Sequence, residues 1–190
     1  MEKLIGKKLS TAVFISGKGS NLKSLIKYSK LKNSKIKIKL VVSNYKSAKG
    51  LNIAKKNKIR TKIINFNKDN LVENKLLLVL KRNKIDLVCL AGFMKILSRD
   101  FIKKFNKPIL NIHPSLLPKY KGLNTHKKVL KNQDKFSGAT VHLVNSRLDS
   151  GKIILQKKVR VYKKDTELSL ANKVLKIEHE LFPAALDKFL

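Results

Sequence analysis

The sequence predicts an α/β fold: a mostly parallel, twisted sheet flanked by helices, with an antiparallel extension toward the C-terminus. Short apolar runs rich in strand formers alternate with segments whose apolar residues recur at helical spacing. A glycine-containing turn follows the first apolar run, which is typical of a strand–turn–helix unit. Near the C-terminus, two strand-like segments flank a polar loop, as in an antiparallel hairpin. Strands joined through helices are expected to run parallel, with right-handed crossovers.

The first strand is predicted over residues 11–15, and the helix after it carries Leu22, Leu25 and Ile26 on one face. The remaining strands are predicted at 36–42, 61–65, 86–91, 109–111, 138–144 and 152–161. The remaining helices are predicted at 48–57, 71–81 and 167–190, with a long polar loop at 119–136. This order indicates a Rossmann-like arrangement. No repeat or linker interrupts the 190 residues, so we expect a single domain over residues 1–190.

The charge balance is strongly basic. Lys and Arg number 44 and Asp and Glu 12, giving a net charge of +32. Lys, Asn and Ile are encoded by AT-rich codons, so genome composition is one explanation and a polyanion-binding surface is the other. No aromatic-basic stripe or basic tail is present, so we do not expect nucleic acid as a partner. In either case a positive field attracts phosphorylated or polyglutamylated substrates.

The single cysteine, Cys89, excludes an internal disulfide and lies in a predicted buried strand, where packing is its expected role. No apolar run approaches membrane-spanning length, so we expect a cytoplasmic protein with no membrane association. The four histidines show no metal-ligand spacing, and we expect no metal.

The segment 111–118, Asn-Ile-His-Pro-Ser-Leu-Leu-Pro, follows a short apolar run that reads as the end of a buried strand. Asn111 and His113 therefore share one side of the strand at its carboxyl end, where ligands bind in parallel α/β sheets. An imidazole transfers protons near neutral pH, and an amide donates a hydrogen bond to an oxygen that gains charge. The alternative is a turn that holds a solvent-exposed histidine.

The glycine turn at 16–21, Ser-Gly-Lys-Gly-Ser-Asn, leads from a strand into a helix, an arrangement that binds anions at the helix N-terminus. The dinucleotide fingerprint fails because Leu22 stands where a third glycine is needed. The P-loop pattern also fails, since Lys18 precedes the second glycine. A monophosphate is therefore a better expectation than a dinucleotide, and a plain turn without ligand is the alternative.

Two further segments bear on a ligand site. Residues 92–97, Gly-Phe-Met-Lys-Ile-Leu, form an apolar, backbone-rich surface suited to a flat heteroaromatic ring, or else a hydrophobic plug under the sheet. Thr140 and His142 share one face of a strand, and His142 is expected to support the site or to pack rather than touch substrate. His126 is expected to be exposed or structural. Sequence spacing alone makes Asp149 a turn residue.

Segments 111–118, 90–97 and 16–21 together resemble the folate-dependent formyltransferases, and the similarity runs over nearly the whole chain. The N-terminal loop narrows it to members that formylate phosphoribosylglycinamide in purine biosynthesis. The implied cosubstrate is 10-formyltetrahydrofolate, used without a metal. The implied catalytic residues are Asn111, His113 and Asp149. The substrate is implied to contact Gly19, Ser20, Asn21 and Glu178, and the cofactor Met94, Lys95, Ile96, Leu97 and Asn111.

The resemblance also implies finer features. It places Asp149 beside His113, where a carboxylate would raise the pKa of the imidazole. It implies a cis peptide at Leu117-Pro118. Apart from the resemblance, an acid on the apolar stripe of a helix, such as Glu178, is ordinarily solvated at the helix margin. A cofactor-gripping arginine of the family, near residues 68–70, has no counterpart in this chain.

Three other functions remain open at this point. A methionyl-tRNA formyltransferase would suit the basic charge, but we see no room for a C-terminal tRNA-binding domain. A formylfolate hydrolase usually carries an additional N-terminal regulatory domain, which we do not find. A non-enzymatic polyanion-binding module would leave Asn111 and His113 without a role. We expect small-molecule substrates and a monomer or weak homodimer.

Overall fold

The strand–turn–helix unit predicted near the start of the chain is present in the computed structural model, which describes residues 8–66 and 70–190. β1 (Leu9–Ile15) ends at the glycine turn, and α1 (Ser20–Ser29) follows it. The described residues divide into two compact units: 8–66, 70–108 and 190 form the first, and 109–189 form the second.

The first unit contains a four-stranded parallel sheet in the order β3-β2-β1-β4. Its further elements are β2 (Ile36–Ser43), α2 (Lys49–Lys56), β3 (Arg60–Ile63), α3 (Asn70–Arg82), β4 (Leu87–Leu90) and α4 (Arg99–Phe105). Residues 11–15 and all of β4 are buried, as expected of central parallel strands that are covered on both faces. Apolar runs without alternation therefore form the centre of this sheet.

A close approach between two glycines fixes the turn after β1. Gly19 has φ +76°, and a Cβ on it would lie 2.6 Å from the Cα of Gly50 at the start of α2. The amide of Gly50 donates to the carbonyl of Gly17 at 3.0 Å. Only a residue without a side chain fits this left-handed position against another backbone, so the fold itself requires glycine at position 19.

The second unit contains three antiparallel strands in the order β5-β6-β7. Its elements are β5 (Ile109–His113), α5 (Thr125–Lys131), β6 (Phe136–Leu143), β7 (Ile153–Arg160) and α6 (Glu167–Phe189). Asn111 pairs with His142, and His113 pairs with Thr140, across the β5–β6 ladder. The polar side chains predicted on the two strands are thus direct neighbours.

These pairings confirm the predicted fold class, with parallel strands first and antiparallel strands toward the C-terminus. Most predicted elements end within two residues of the observed bounds. The loop predicted at 119–136 is wrong in part, because Thr125–Lys131 forms α5. The Leu117-Pro118 peptide is cis, as the resemblance implied. The single-domain organisation stays a prediction.

Burial explains two further predictions. Cys89 is completely buried in β4, and this burial raises the pKa of its thiol far above the usual range, which agrees with a packing role. Glu178 is buried on the inner stripe of α6, so the interpretation of a solvated acid at the helix margin is wrong. Among the residues described here, no helix is both long and apolar enough to cross a membrane.

Replacing Gly19 with alanine is expected to lower the free energy of unfolding by about 1–3 kcal/mol from backbone strain alone. The new Cβ would also press on the Gly50 backbone. Urea unfolding measures the change. Gly17→Ala is the matched control, since a Cβ there meets nothing within 4 Å. Equal stability of the two variants would contradict the close approach described above.

Candidate active site

The carboxyl end of β5 carries Asn111 and His113, which project to the same side of the strand because side chains alternate along it. His142 lies opposite Asn111 on β6, and Asp149 follows β6 in the loop before β7. These four side chains form a cluster, here called the β5 cluster. Its members come from one strand, its ladder partner and one loop, all within the second unit.

His113 is held through both ring nitrogens. Its Nε2 lies 2.8 Å from the carbonyl oxygen of Tyr120, and its Nδ1 lies 3.3 Å from Oδ2 of Asp149. Both partners only accept hydrogen bonds, so the two contacts fix the ring plane and together favour the imidazolium form. The side chain is only 7% exposed, which rules out the alternative of a solvent-exposed histidine in a turn.

Burial nevertheless decides the protonation of His113. Desolvation lowers its pKa below 6.5, and this outweighs the raising effects of the Tyr120 carbonyl and the Asp149 carboxylate. The expectation that Asp149 would raise the pKa of His113 holds for its own contribution but is wrong for the net shift. The imidazole is therefore neutral at physiological pH and able to accept a proton.

Asp149 contacts each of the other three side chains of the β5 cluster. Its Oδ2 accepts a hydrogen bond from the Gly122 amide at 2.8 Å in addition to the His113 contact. Its Oδ1 lies 3.5 Å from both Asn111 Nδ2 and His142 Nε2. Burial alone would raise the pKa of Asp149, but the hydrogen bonds from His142 and Gly122 hold this pKa below its usual range. The carboxylate therefore stays ionised at neutral pH.

The amide of Asn111 has two neighbours. Nδ1 of His142 lies 2.8 Å from the Leu143 carbonyl oxygen, and this contact fixes the orientation of the ring. Asn111 Nδ2 lies 3.2 Å from Nε2 of His142 and 3.5 Å from Asp149 Oδ1. Both contacts exceed the usual 2.9–3.0 Å of an N–H donor, so they are weak bonds that a better acceptor can replace.

The β5 cluster thus combines an amide donor, an imidazole with a lowered pKa and an ionised carboxylate in contact with it. This set can stabilise a developing oxyanion, accept a proton and stabilise the resulting cation. The structure brings together Asn111, His113 and Asp149, the three residues that the resemblance implied as catalytic.

The predicted anion loop lies in the first unit. Gly19 precedes α1 and offers no side chain to cap the helix, and the first turn carries no acidic residue. Its amides are therefore the kind of donors that bind an anion. Ser20 is half-buried, whereas the side chain of Asn21 is buried.

Ser16, the first residue of this loop, follows β1 and forms hydrogen bonds to the segments that follow β2 and β4. Its amide donates to the Gly92 carbonyl at 3.0 Å. Its hydroxyl donates to Asn44 Oδ1 at 2.6 Å and accepts from the Met94 amide at 2.7 Å. One side chain thus connects the ends of β1 and β2 with the segment after β4, and fixes the glycine turn relative to that segment.

The side chains of the segment 92–97 differ in their exposure to solvent. Met94 and Ile96 are 61% and 74% exposed, and Lys95 is exposed as well, whereas Leu97 is buried. Phe93 anchors the segment beneath, with edge-to-face contacts to Phe14 and Phe66 at 5.4 and 5.2 Å. The alternative of a hydrophobic plug is therefore wrong for Met94 and Ile96, which form an exposed apolar surface.

The other residues considered in the sequence analysis lie outside the β5 cluster and the two segments described above. Glu178 lies in α6, in the same unit as the β5 cluster. His126 is half-buried in the first turn of α5, which agrees with a structural role. The family arginine without a counterpart would lie near residues 68–70, of which 68 and 69 are outside the residues that the structure describes. Within the described part of the chain, no three His, Cys, Asp or Glu side chains form a group that could hold a metal ion.

Two contacts of the β5 cluster escaped the sequence analysis. The Tyr120 carbonyl and the Gly122 amide bind His113 and Asp149 through backbone atoms, which leave no mark in the residue types. Gly122 is a partial signal, because a glycine in a loop often takes a positive φ, and its φ here is +75°.

The titration of His113 is expected to have its midpoint below pH 6.5, because desolvation dominates its environment. Asp149→Asn removes a contribution that raises this pKa, so the midpoint should move to still lower pH. NMR of the imidazole Cε1 proton measures both values. Glu180→Gln is the control, since it removes one exposed carboxylate of the same unit that is paired with Lys157. A midpoint that rises in Asp149→Asn would contradict this electrostatic description.

The sequence profile of the Formyl transferase family matches residues 9–186. The trifunctional purine biosynthetic protein adenosine-3 of Homo sapiens is 46% identical over 183 residues, which are 95% of this chain but 18% of that protein. The chain thus spans less than a fifth of the length of that relative.

Shorter relatives match over most of their length. Phosphoribosylglycinamide formyltransferase of Escherichia coli K12 is 39% identical over 184 residues, 95% of this chain and 87% of that protein. The crystal structure of phosphoribosylglycinamide formyltransferase from Brucella melitensis superposes with a TM-score of 0.91 at 41% identity, covering 96% of each chain. The family match over 9–186, together with these relatives, shows that this chain belongs to the formyl transferase family.

Proposed function

We propose that this chain is an enzyme that transfers a formyl group from 10-formyltetrahydrofolate to the primary amine of 5'-phosphoribosylglycinamide in de novo purine biosynthesis. The names of its relatives support the formyl transfer and the acceptor, and membership of the formyl transferase family supports the folate donor. The observation that carries the proposal is the β5 cluster, in which the buried Asp149 lies 3.3 Å from His113 and 3.5 Å from Asn111.

The amine nitrogen attacks the formyl carbon directly and forms a tetrahedral intermediate whose oxygen bears the negative charge. Asn111 Nδ2 is the donor for this oxyanion, exchanging its long contacts to His142 and Asp149 for a shorter bond. One such donor contributes about 10²–10³ in rate. No covalent intermediate with the protein is required, because the acceptor is itself a good nucleophile once deprotonated.

His113 accepts the proton that the attacking nitrogen loses. Its lowered pKa keeps the ring neutral. Nε2 carries the hydrogen that the Tyr120 carbonyl accepts, so the proton is taken up at Nδ1, where Asp149 Oδ2 at 3.3 Å stabilises the imidazolium that forms. When the bond from the formyl carbon to N10 of the folate breaks, the proton is returned to N10. A positioned acid–base of this kind contributes about 10²–10⁴ in rate.

The phosphate of the ribonucleotide is proposed to bind at the N-terminus of α1, with Gly19, Ser20 and Asn21 as its contacts. The uncapped first turn and the glycine backbone support this role. Lys18 adds an exposed positive charge beside the turn. Glu178 is proposed to contact the glycinamide side of the substrate.

The pteridine of the cofactor is proposed to bind against 94–97, where Met94 and Ile96 expose apolar side chains. The Met94 amide already donates to Ser16, so reading of the ring edge falls to the backbone of Lys95, Ile96 and Leu97. Asn111 also contacts the cofactor through its formyl group. We further propose a single domain over residues 1–190 that acts in the cytoplasm as a monomer or weak homodimer.

The experiment that tests this function compares formyl transfer from 10-formyltetrahydrofolate to three acceptors: phosphoribosylglycinamide, charged initiator tRNA and water. Transfer to phosphoribosylglycinamide alone is expected. Asn111→Ala and His113→Ala should each lower kcat by about 100-fold or more. Asn52→Ala, on the exposed face of α2, is the control and should keep full activity. Preference for tRNA or water, or an active His113→Ala variant, would refute the proposal.

The phosphate site has its own prediction. Ser20→Asp places a negative charge at the N-terminus of α1, which stabilises the helix by its dipole but repels a phosphate. KM for phosphoribosylglycinamide should rise at least about tenfold, which corresponds to roughly 1.4 kcal/mol. Initial-rate kinetics measure it, with Asn52→Asp as the control of equal charge. An unchanged KM in Ser20→Asp would place the phosphate elsewhere.

A further inference from the structure

Tyr120 forms hydrogen bonds through its backbone carbonyl and through its phenol hydroxyl. Its carbonyl oxygen accepts the hydrogen bond from Nε2 of His113 at 2.8 Å. Its phenol hydroxyl donates to Asp134 Oδ2 at 2.7 Å and accepts from Asn132 Nδ2 at 2.9 Å. A continuous set of contacts therefore leads from two polar residues just after α5 to the imidazole of the β5 cluster.

The backbone of Tyr120 needs such support. Its φ of +56° lies in the left-handed region, which is uncommon for a residue with an aromatic side chain. A conformation of this kind persists only where the surroundings hold it. Ser115 supplies part of the support, since its hydroxyl donates to the carbonyl of Lys119 at 2.7 Å, directly before Tyr120.

Packing holds Tyr120 only in part. A cavity of about 230 Å³ borders this residue. Its lining includes Leu116, Lys119, Val129, Asp134 and Phe136. Because the space on this side of Tyr120 is not filled by other side chains, the hydrogen bonds of its hydroxyl contribute to holding it in place.

We propose that Tyr120 is a positioning residue for His113, and that Asp134 and Asn132, through the phenol hydroxyl, set where the Tyr120 carbonyl meets the imidazole. None of these three side chains reaches His113 itself. The role rests on the proposed function, in which His113 accepts the proton of the attacking amine. It adds a second support for the catalytic ring, separate from Asp149.

The electrostatic surroundings of His113 give this role a distinctive readout. The Tyr120 carbonyl is the strongest influence that raises the pKa of His113, ahead of the Asp149 carboxylate. His142 on β6 and Lys128 on α5 act in the opposite direction, and His126 on α5 interacts with His113 as well. Removal of the phenol hydroxyl changes none of these charges, so any change in titration reports the position of the carbonyl.

The test is Tyr120→Phe, which deletes the hydroxyl and keeps the ring. The Cε1 proton of His113, followed by NMR without substrates, is expected to titrate at lower pH than in the wild type, because the raising contact is loosened. In formyl transfer, kcat should fall about three- to tenfold, the factor that one hydrogen bond supplies. KM for phosphoribosylglycinamide should stay within about twofold. Tyr162→Phe, an exposed tyrosine of the same unit, is the matched control.

Two variants of Asp134 keep the proposal testable if Tyr120→Phe does not fold. Asp134→Asn keeps an oxygen that accepts from the phenol, whereas Asp134→Ala removes it. The titration of His113 should therefore be nearly normal in Asp134→Asn and shifted down in Asp134→Ala. Wild-type titration in both Tyr120→Phe and Asp134→Ala would overturn the proposal. A shifted titration with undiminished kcat would instead show that His113 is not the catalytic base, which separates this inference from the proposed function.

Discussion

The contact between the Asp149 carboxylate and the His113 imidazole is the constraint on which the rest of the second unit depends. Each partner is almost fully buried, and a carboxylate buried without partners would favour its protonated form. The carboxylate is kept ionised by hydrogen bonds from Gly122 and His142, and the imidazole is kept in place by Tyr120. Asp149 itself adopts φ +44°, a strained conformation that these contacts compensate.

Much of the fold was predictable because its signals are local. Continuous apolar runs identified the buried strands, and helical periodicity identified α1, α2, α3 and α6. Helices α4 and α5 were not predicted. Each is only seven residues long, and α5 carries three lysines, so its sequence reads as a loop. The interpretation of Glu178 as a solvated acid was wrong because the general tendency of acids to be exposed does not determine the burial of a single residue.

The candidate site was predictable in its side chains and not in its backbone contacts. Asn111 and His113 follow from strand alternation, which is a rule of geometry. Asp149 came only from resemblance, because 36 residues separate it from His113 and no spacing rule joins them. The net pKa shift of His113 depends on how deeply the ring is buried, and burial depends on the packing of the whole unit.

Cys89 has a practical consequence for work on this protein. It is the only cysteine of the chain, it is completely buried in β4, and its thiol resists ionisation. Because the thiolate is the reactive species, alkylating reagents will leave it unmodified while the fold is intact. A cysteine introduced at an exposed position such as Leu123 would then be labelled alone, so single-site fluorophores can be attached to the natural sequence background.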